Sequence, residues 1–432
     1  KHPASSSSSS SLYSSSIIWD RLIQSRSSIF LLDGGTGEEL TQRYGIPEER
    51  QWWSAAYVRL PEHHEKLQTV HRSYLQAGSQ GLTTNTYGII PRIFEKETTT
   101  TTTTTTPQDD DEQWIQSIGV AGKLAQDVIQ DFYSSSSSKN HPRALLWGSL
   151  PPLVESYRPD QILSRKEGIL YYQTMVKTLL PYVDCFLAET MSCSEESIQV
   201  LYGVAMVATS RTTETTAEIP STSTTTTTST TNDTLTHHVP IPLFISYTLS
   251  SDGNLRSGES PIYAISQLLQ EMNNLPNPTG VQLLGILFNC SEPEAITKAL
   301  EAIRSHQYPS VKNNNNNNNS NNDNDNTNNN NNNITRDPPL LFGAYANRLT
   351  PMDPNWTFDE SSSPQPQRKD ISPQEYYDRF VSHWIQEYQI QIIGGCCGIT
   401  PEHIQYLYDK LQPNLVSLDP RDMSTSLGEK TT

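Results

Sequence analysis

The chain has 432 residues, a formal net charge of −17, 34% hydrophobic residues and five cysteines. So acidic a surface argues against nucleic acid or an anionic membrane as the main partner, because both are met by basic patches. No apolar run reaches the roughly eighteen residues a membrane span needs, and an odd cysteine count in a long chain does not suit a secreted disulfide framework, so a reducing, cytoplasmic setting is expected.

Residues 1–27 are dominated by serine and lack the apolar core of a secretory signal, so they read as a disordered N-terminal segment. The chain starts without an initiator Met, which leaves room for a preceding segment. The first apolar run is Ser28 to Gly35, SIFLLDGG. Glu62 to Ala77 then sets Leu67, Val70, Tyr74 and Leu75 at helical spacing. Gly78 to Tyr87, Arg143 to Leu150 and Asp184 to Thr190 are the next strand candidates, separated by helical patterns at Gln113 to Phe132 and Lys166 to Tyr182. A helix over Glu195 to Ala208 precedes Pro242 to Leu249, and one over Pro261 to Met272 precedes Val281 to Asn289. Beyond the helical pattern at Glu292 to Ile303 come Leu340 to Asn347, a helix at Pro373 to Tyr388, and Gln391 to Gly398. Ser372-Pro373 and Thr400-Pro401 mark helix starts, a small polar cap followed by proline.

About eight nearly continuous apolar strands alternating with helices predict an α/β fold, a (β/α)8 barrel. A doubly wound open sheet is the alternative, but it gathers function at one switch point. Here unusual residues end many strands. Low-complexity inserts lie near 98–111, 134–140, 210–238 and 312–336. Without them roughly 300 residues remain, enough for one barrel over 28–411, followed by a C-terminal tail at 412–432. All the inserts but the first fall between a helix and the next strand, the face of a barrel opposite its active site. Loops lengthen there at little cost, since closure entropy grows slowly with length.

Cys290 follows the sixth strand, and Cys396 and Cys397 end the eighth. Barrel topology puts both strand ends on one rim, where three thiolates could hold a tetrahedral metal with an open position. Two readings stand beside that one: buried apolar cysteines, and a redox-active vicinal disulfide. Adjacent strand residues point to opposite faces, which weighs against Cys396 and Cys397 sharing a site; the flanking glycines reduce the objection. Asp33 and Glu189 end the first and fourth strands and are candidates to pair with an ammonium group or to act as acid and base. Asp33 as a helix cap and Glu189 in a structural ion pair are the bland alternatives. Gly34 and Gly35 begin a loop able to offer N–H groups to a carboxylate, though it is not a nucleotide fingerprint. Asn85 and Thr86 could orient a small polar substrate, or simply form a turn.

Taken together, LLDGGTGEEL at Leu31 to Leu40, AGSQGLTTNTY at Ala77 to Tyr87, GSLPPLVESYRPD at Gly148 to Asp160, FLAET at Phe186 to Thr190, GILFNCSEPE at Gly285 to Glu294 and GGCCGITPEHI at Gly394 to Ile404 resemble the homocysteine S-methyltransferase family. The resemblance runs from about Ile29 to Leu411, outside the repeats. It implies a (β/α)8 barrel, Zn2+ as cofactor with Cys290, Cys396 and Cys397 as ligands, and Asp33 and Glu189 as the groups that recognise the amino end of homocysteine. Cys185 and Cys193 match no ligand position.

The implied chemistry is transfer of a methyl group to a zinc-activated homocysteine thiol, giving methionine. Small-molecule substrates are the expected partners, with the chain a monomer or small homo-oligomer. The methyl donor differs among family members. Betaine enzymes resembled here carry an aromatic residue directly after the acidic residue of the fourth strand, suited to a quaternary ammonium; this chain has Thr190. A sulfonium donor, S-methylmethionine or S-adenosylmethionine, is therefore expected. A betaine-using enzyme and a non-catalytic zinc-binding barrel are the rivals.

Overall fold

A computed structural model describes residues 18–25, 27–45, 50–91, 94, 107–134, 143–217, 239–275, 280–304, 306, 340–350 and 366–418. Most of the repeat tracts lie outside these residues. Eight strands form one sheet: β1 (Phe30–Leu31), β2 (Gly81–Thr83), β3 (Leu145–Leu150), β4 (Cys185–Met191), β5 (Ile241–Tyr247), β6 (Val281–Asn289), β7 (Leu341–Tyr345) and β8 (Ile392–Ile393). Their order is β1-β8-β7-β6-β5-β4-β3-β2, with every paired neighbour parallel. Gln80 bridges the remaining seam: its N–H donates to Leu31 O at 2.7 Å, and its side-chain oxygen accepts from Leu31 N–H at 3.2 Å. The sheet is thus a nearly closed (β/α)8 barrel, as the strand–helix alternation predicted, and not an open doubly wound sheet.

The strands are buried on both faces because each serves two cores. Leu145, Trp147, Cys185, Leu187, Phe244, Leu287 and Ile392 fill the barrel, while Leu146, Phe186, Ala188, Leu243, Ile245 and Ile393 pack outward under the helices. This is the period-two alternation of a strand. Extending the inward series of each strand to its C-terminal end reaches Ser149, Glu189, Ser246 and Asn289. The sequence pattern that builds the core therefore also carries polar side chains to the rim.

The helices start where the sequence places their caps. Ser372 and Glu375 form a reciprocal capping box ahead of Pro373–Tyr376, and Pro261 and Pro401 each open a helix. Strands one, two and eight are shorter than their apolar runs suggest. β8 ends at Ile393, so Cys396 and Cys397 lie in a turn beyond it.

Two terminal segments depart from expectation. Residues 18–24, within the segment read as disordered, are helical, and Trp19 and Leu22 are fully buried. Trp19 packs edge-on against Trp147 at 5.4 Å and Phe244 at 5.1 Å, and against Phe30 at 5.5 Å. Residues 415–418, read as tail, join this plug: Val416 N–H donates to Ile29 O at 2.8 Å, and Val416 and Leu418 are buried. The reason is physical. A barrel's N-terminal mouth exposes aromatic rings unless something covers them, and a few apolar residues inside polar segments suffice. The inserts near 98–111, 134–140 and 210–238 are likewise partly helical, since neighbouring helices span Pro107–Ser134 and Ser194–Ala217.

Replacing Trp19 by Ala removes a fully buried ring and should cost about 3–5 kcal/mol. Urea denaturation would measure it. A loss below about 1 kcal/mol would mean the plug does not hold the barrel end.

Candidate active site and metal centre

Cys290 stands one residue past β6 with φ +45°, a left-handed backbone that turns its side chain back over the barrel mouth. Cys396 follows the glycine pair after β8. Its N–H donates to Ala346 O at 2.9 Å, and Gly398, at φ +78°, lets the turn close behind Cys397. The vicinal pair thus escapes strand alternation, and the objection to a shared site falls. The three sulfurs lie within 4.8 Å of one another. Cys290 Sγ is 3.9 Å from Cys397 Sγ and in direct contact with Cys396 Sγ as a disulfide pair, their Cα atoms 5.6 Å apart. The contact joins the two non-local cysteines and not the vicinal couple. Burial pushes the Cys397 thiol up to about 12, with the charges of Glu38 and Glu189 adding to the effect. Cys185 and Cys193 are buried elsewhere and take no part.

The first loop is held tightly under this cluster. A side chain at Gly35 would meet Cys396 O at 2.6 Å, and one at Gly34 would meet Ile399 O at 2.3 Å. Gly35 N–H donates to Ile399 O at 3.1 Å. Both glycines therefore serve close approach of the loop to the cysteine turn, and the Gly35 amide already has a partner.

Asp33 is buried at the seam between β1 and β2. Its carboxylate accepts from Thr83 N–H at 2.8 Å and from Thr83 Oγ1 at 2.9 Å. Burial pushes it up to about 7, although the Thr83 bonds favour its charge; repulsion from Glu189 adds to the rise. Glu189 points into the barrel and accepts from Ser149 Oγ, with Tyr345 beside it. It too is pushed up to about 7, mainly by burial. Two carboxyls in electrostatic reach of each other, neither paired with a basic side chain among the described residues, form an acidic pocket next to the sulfurs. That arrangement is suited to an incoming cation. The ion-pair alternative for Glu189 finds no support.

Asn85 and Thr86 are engaged by the protein itself. Asn85 Nδ2 donates to Ser54 O at 2.9 Å, and Thr86 Oγ1 donates to Ser149 O at 2.6 Å. These contacts tie the end of β2 to the Ser54 segment and to β3. Asn289, the last residue of β6, joins two strand ends. Its Oδ1 accepts from Thr190 N–H at 2.9 Å and Ser246 Oγ at 2.7 Å, while its Nδ2 donates to Thr190 Oγ1 at 2.8 Å. Thr190 itself is left-handed at φ +64° and fully buried. Asn289 thereby locks the residue after Glu189 to the residue before Cys290.

Tyr157, which sequence patterns did not single out, lies in the same region. It is left-handed at φ +65°, and its hydroxyl is raised well above the usual tyrosine range, chiefly by burial and then by the charges of Tyr87, Cys397 and Glu189. The family-like run GSLPPLVESYRPD contained it, but nothing in that run marks a left-handed tyrosine.

A (β/α)8 barrel that gathers three sulfurs and two uncompensated carboxyls at the C-terminal ends of its strands has the build of an enzyme that binds a cationic amine and handles a thiol. The model of the homocysteine S-methyltransferase family matches residues 30–411, and the chain belongs to that family. It is accordingly a methyltransferase that acts on homocysteine. The fold is similar to the homocysteine methyltransferase MmuM of Escherichia coli. The metallated form is 20% identical at a TM-score of 0.56, with 89% of this chain and 96% of that one covered. The oxidized form is 19% identical at a TM-score of 0.55, with 88% and 96% covered. No curated protein sequence matches the chain significantly. No helix among the described residues is long and apolar enough to cross a membrane.

Because both carboxyls are pushed up to about 7, their ionised forms dominate only above that pH. An ammonium is attracted by the ionised forms, so kcat/KM for homocysteine should fall as pH drops through about 7. Glu189→Gln should lower kcat/KM by roughly 10–100-fold and weaken this dependence. Matching pH profiles for parent and variant would exclude Glu189 as the titrating group.

Proposed function

We propose that the chain transfers a methyl group from a sulfonium donor, S-methylmethionine or S-adenosylmethionine, to a zinc-activated homocysteine thiol, giving methionine. The observation that carries this reading is the meeting of Cys290, Cys396 and Cys397 with the uncompensated Asp33–Glu189 pair on one barrel rim. The donor set suits zinc. Two thiolates on one tetrahedral zinc, each about 2.3 Å from the ion, stand about 3.8 Å apart, close to the 3.9 Å between Cys290 and Cys397. Cys290 and Cys396 must be reduced and separate to a similar spacing. When bound, Zn2+ would supply the charge that keeps the homocysteine thiol as a thiolate near neutral pH.

Asp33 and Glu189 hold the substrate's ammonium and so fix where its sulfur can reach. Glu189 is itself steadied by Ser149, and Asp33 by Thr83. The enzyme's contribution is then mainly alignment. The donor's S–CH3 bond breaks with its electron pair left on the donor sulfur, and a new S–CH3 bond forms on homocysteine. A sulfonium and a thiolate become two neutral thioethers, and no protein-bound intermediate is required. Tyr87, Tyr157 and Trp53 gather near these groups, with Trp53 edge-on to Tyr87 at 6.2 Å, and a ring face turned to the donor would favour a cationic sulfur. Thr190 turns its side chain to Asn289, so the aromatic position of the betaine enzymes has no counterpart there. The need for three thiolates also supports a reducing compartment, with the cytoplasm as the proposed location.

After reduction and zinc loading, the chain should bind about one zinc and form methionine with a sulfonium donor. Cys290→Ser should lose metal and activity together. Turnover with betaine but with neither sulfonium would overturn the donor, and full activity in the metal-free Cys290→Ser variant would overturn the mechanism.

A further inference from the structure

One cation near the site, Arg256, has no ion pair among the described residues. The connection from β5 to the helix Pro261–Asn274 folds as a tight loop. Leu249 bridges Leu255, Ser250 N–H donates to Asn254 O at 2.8 Å, and Leu255 N–H donates to Glu259 O at 2.9 Å. Two further contacts fasten it to the end of β4. Ser257 N–H donates to Ser192 O at 3.1 Å, and the Glu259 carboxylate accepts from Ser194 N–H at 2.8 Å and Ser194 Oγ at 2.6 Å. Arg256 is carried on this fastened loop, so its guanidinium has a defined position.

That guanidinium lies 5.0 Å from the centroid of the Tyr157 ring. The ring feels the charges of Tyr87, Cys397 and Glu189, and its chain neighbour Ser156 shares a 2.7 Å hydrogen bond with the Tyr87 hydroxyl, so Tyr157 lies near the sulfur cluster. Arg256 Nε is buried without a hydrogen-bond partner. Among the described residues no carboxylate forms an ion pair with it; Glu292 acts only as a more distant charge. A half-buried guanidinium whose Nε is shut off from water gains from a planar anion, and a carboxylate fits its fork with two parallel hydrogen bonds.

Two carboxylates enter the reaction, one on each amino-acid substrate. Homocysteine carries its carboxylate and ammonium on the same carbon. With the ammonium at Asp33 and Glu189, that carboxylate stays at their end of the pocket. The sulfonium donor carries its own at the far end of a short aliphatic chain from the reacting sulfur. A donor sulfonium set against the tyrosine rings, facing the homocysteine sulfur, can extend that chain past Tyr157 toward the β5 loop. We propose that Arg256 binds the carboxylate of the sulfonium donor, with Tyr157 as the positioning residue that holds the guanidinium at the pocket mouth. This rests on the sulfonium reading above and deepens it, since it selects donors that bear a free carboxylate.

The test compares S-methylmethionine with its methyl ester, which keeps the sulfonium and removes the carboxylate charge. The parent enzyme, zinc-loaded, should favour the acid over the ester by about tenfold or more in kcat/KM, the worth of one charge-assisted pair. Arg256→Gln should raise KM for the acid by a similar factor, leave KM for homocysteine and the zinc content within about twofold, and bring acid and ester to near equality. Arg256→Lys should recover part of the preference, which also covers the case of a Gln variant that fails to fold. A parent enzyme indifferent to the ester, or an Arg256→Gln change that falls equally on both donors or on homocysteine, would overturn the Arg256 assignment while methionine formation still upheld the sulfonium donor. No turnover of the parent with S-methylmethionine or with S-adenosylmethionine would overturn both.

Discussion

Three thiols from two non-adjacent strands can meet on one side of a barrel only where the backbone leaves strand geometry. Cys290 does so by a left-handed residue directly after β6, and Cys396 and Cys397 by a glycine-bounded turn after the short β8. A non-glycine residue at positive φ is uncommon and persists when its surroundings over-determine it. Here the surroundings do so through Asn289. Its amide bridges to Thr190, another left-handed residue, so the two irregular strand ends hold each other. Cys290 and Glu189 are therefore not independent features of the rim. Displacing one end of the bridge moves the other.

The same bridge explains why polar groups are tolerated so deep. Asn289, Ser246 and Thr190 are fully buried yet satisfy one another, so the layer beneath the pocket costs little. The pocket above it is different. Asp33 and Glu189 are desolvated and repel each other, and hydroxyl and amide donors offset this only in part. An unbalanced acidic pair is unfavourable in the free protein and becomes favourable when a cation arrives. Arg256, with no ion pair among the described residues, is the same imbalance with the opposite sign.

Much of this was legible in the chain. Doubly buried strands, proline-led helix starts and the order of the elements all follow from short-range patterns, and the barrel follows from their alternation. The cysteines and the two acids were legible as residues at strand ends. Their convergence was a consequence of topology and not of any local signal. Ambiguity came where a local pattern had two physical outcomes. Asn85 and Thr86 look the same in sequence whether they meet a substrate or the protein's own backbone, and their hydrogen bonds reach Ser54 and Ser149. Trp19 was hidden by serine-rich composition, because a plug needs only a few apolar contacts. The left-handed tyrosine at 157 was invisible, since φ is set by the packing around it.

The division between the two barrel ends accounts for how this chain carries so much repeat sequence. The N-terminal mouth is sealed by aromatic and aliphatic contacts among Trp19, Phe30, Trp147, Phe244 and Val416, none of which reaches the rim. By chain order the tracts near 134–140, 210–238 and 312–336 each join a helix to the next strand, the connections that belong to that side of a barrel. The C-terminal rim depends instead on the exact meeting of several loops, with Gly34 and Gly35 packed against the cysteine turn so closely that no side chain fits. An insertion there would have to preserve contacts to several strands at once. Most of the repeat sequence therefore falls in connections on the side held by area, the tract near 98–111 between β2 and the helix Pro107–Ser134 being the exception.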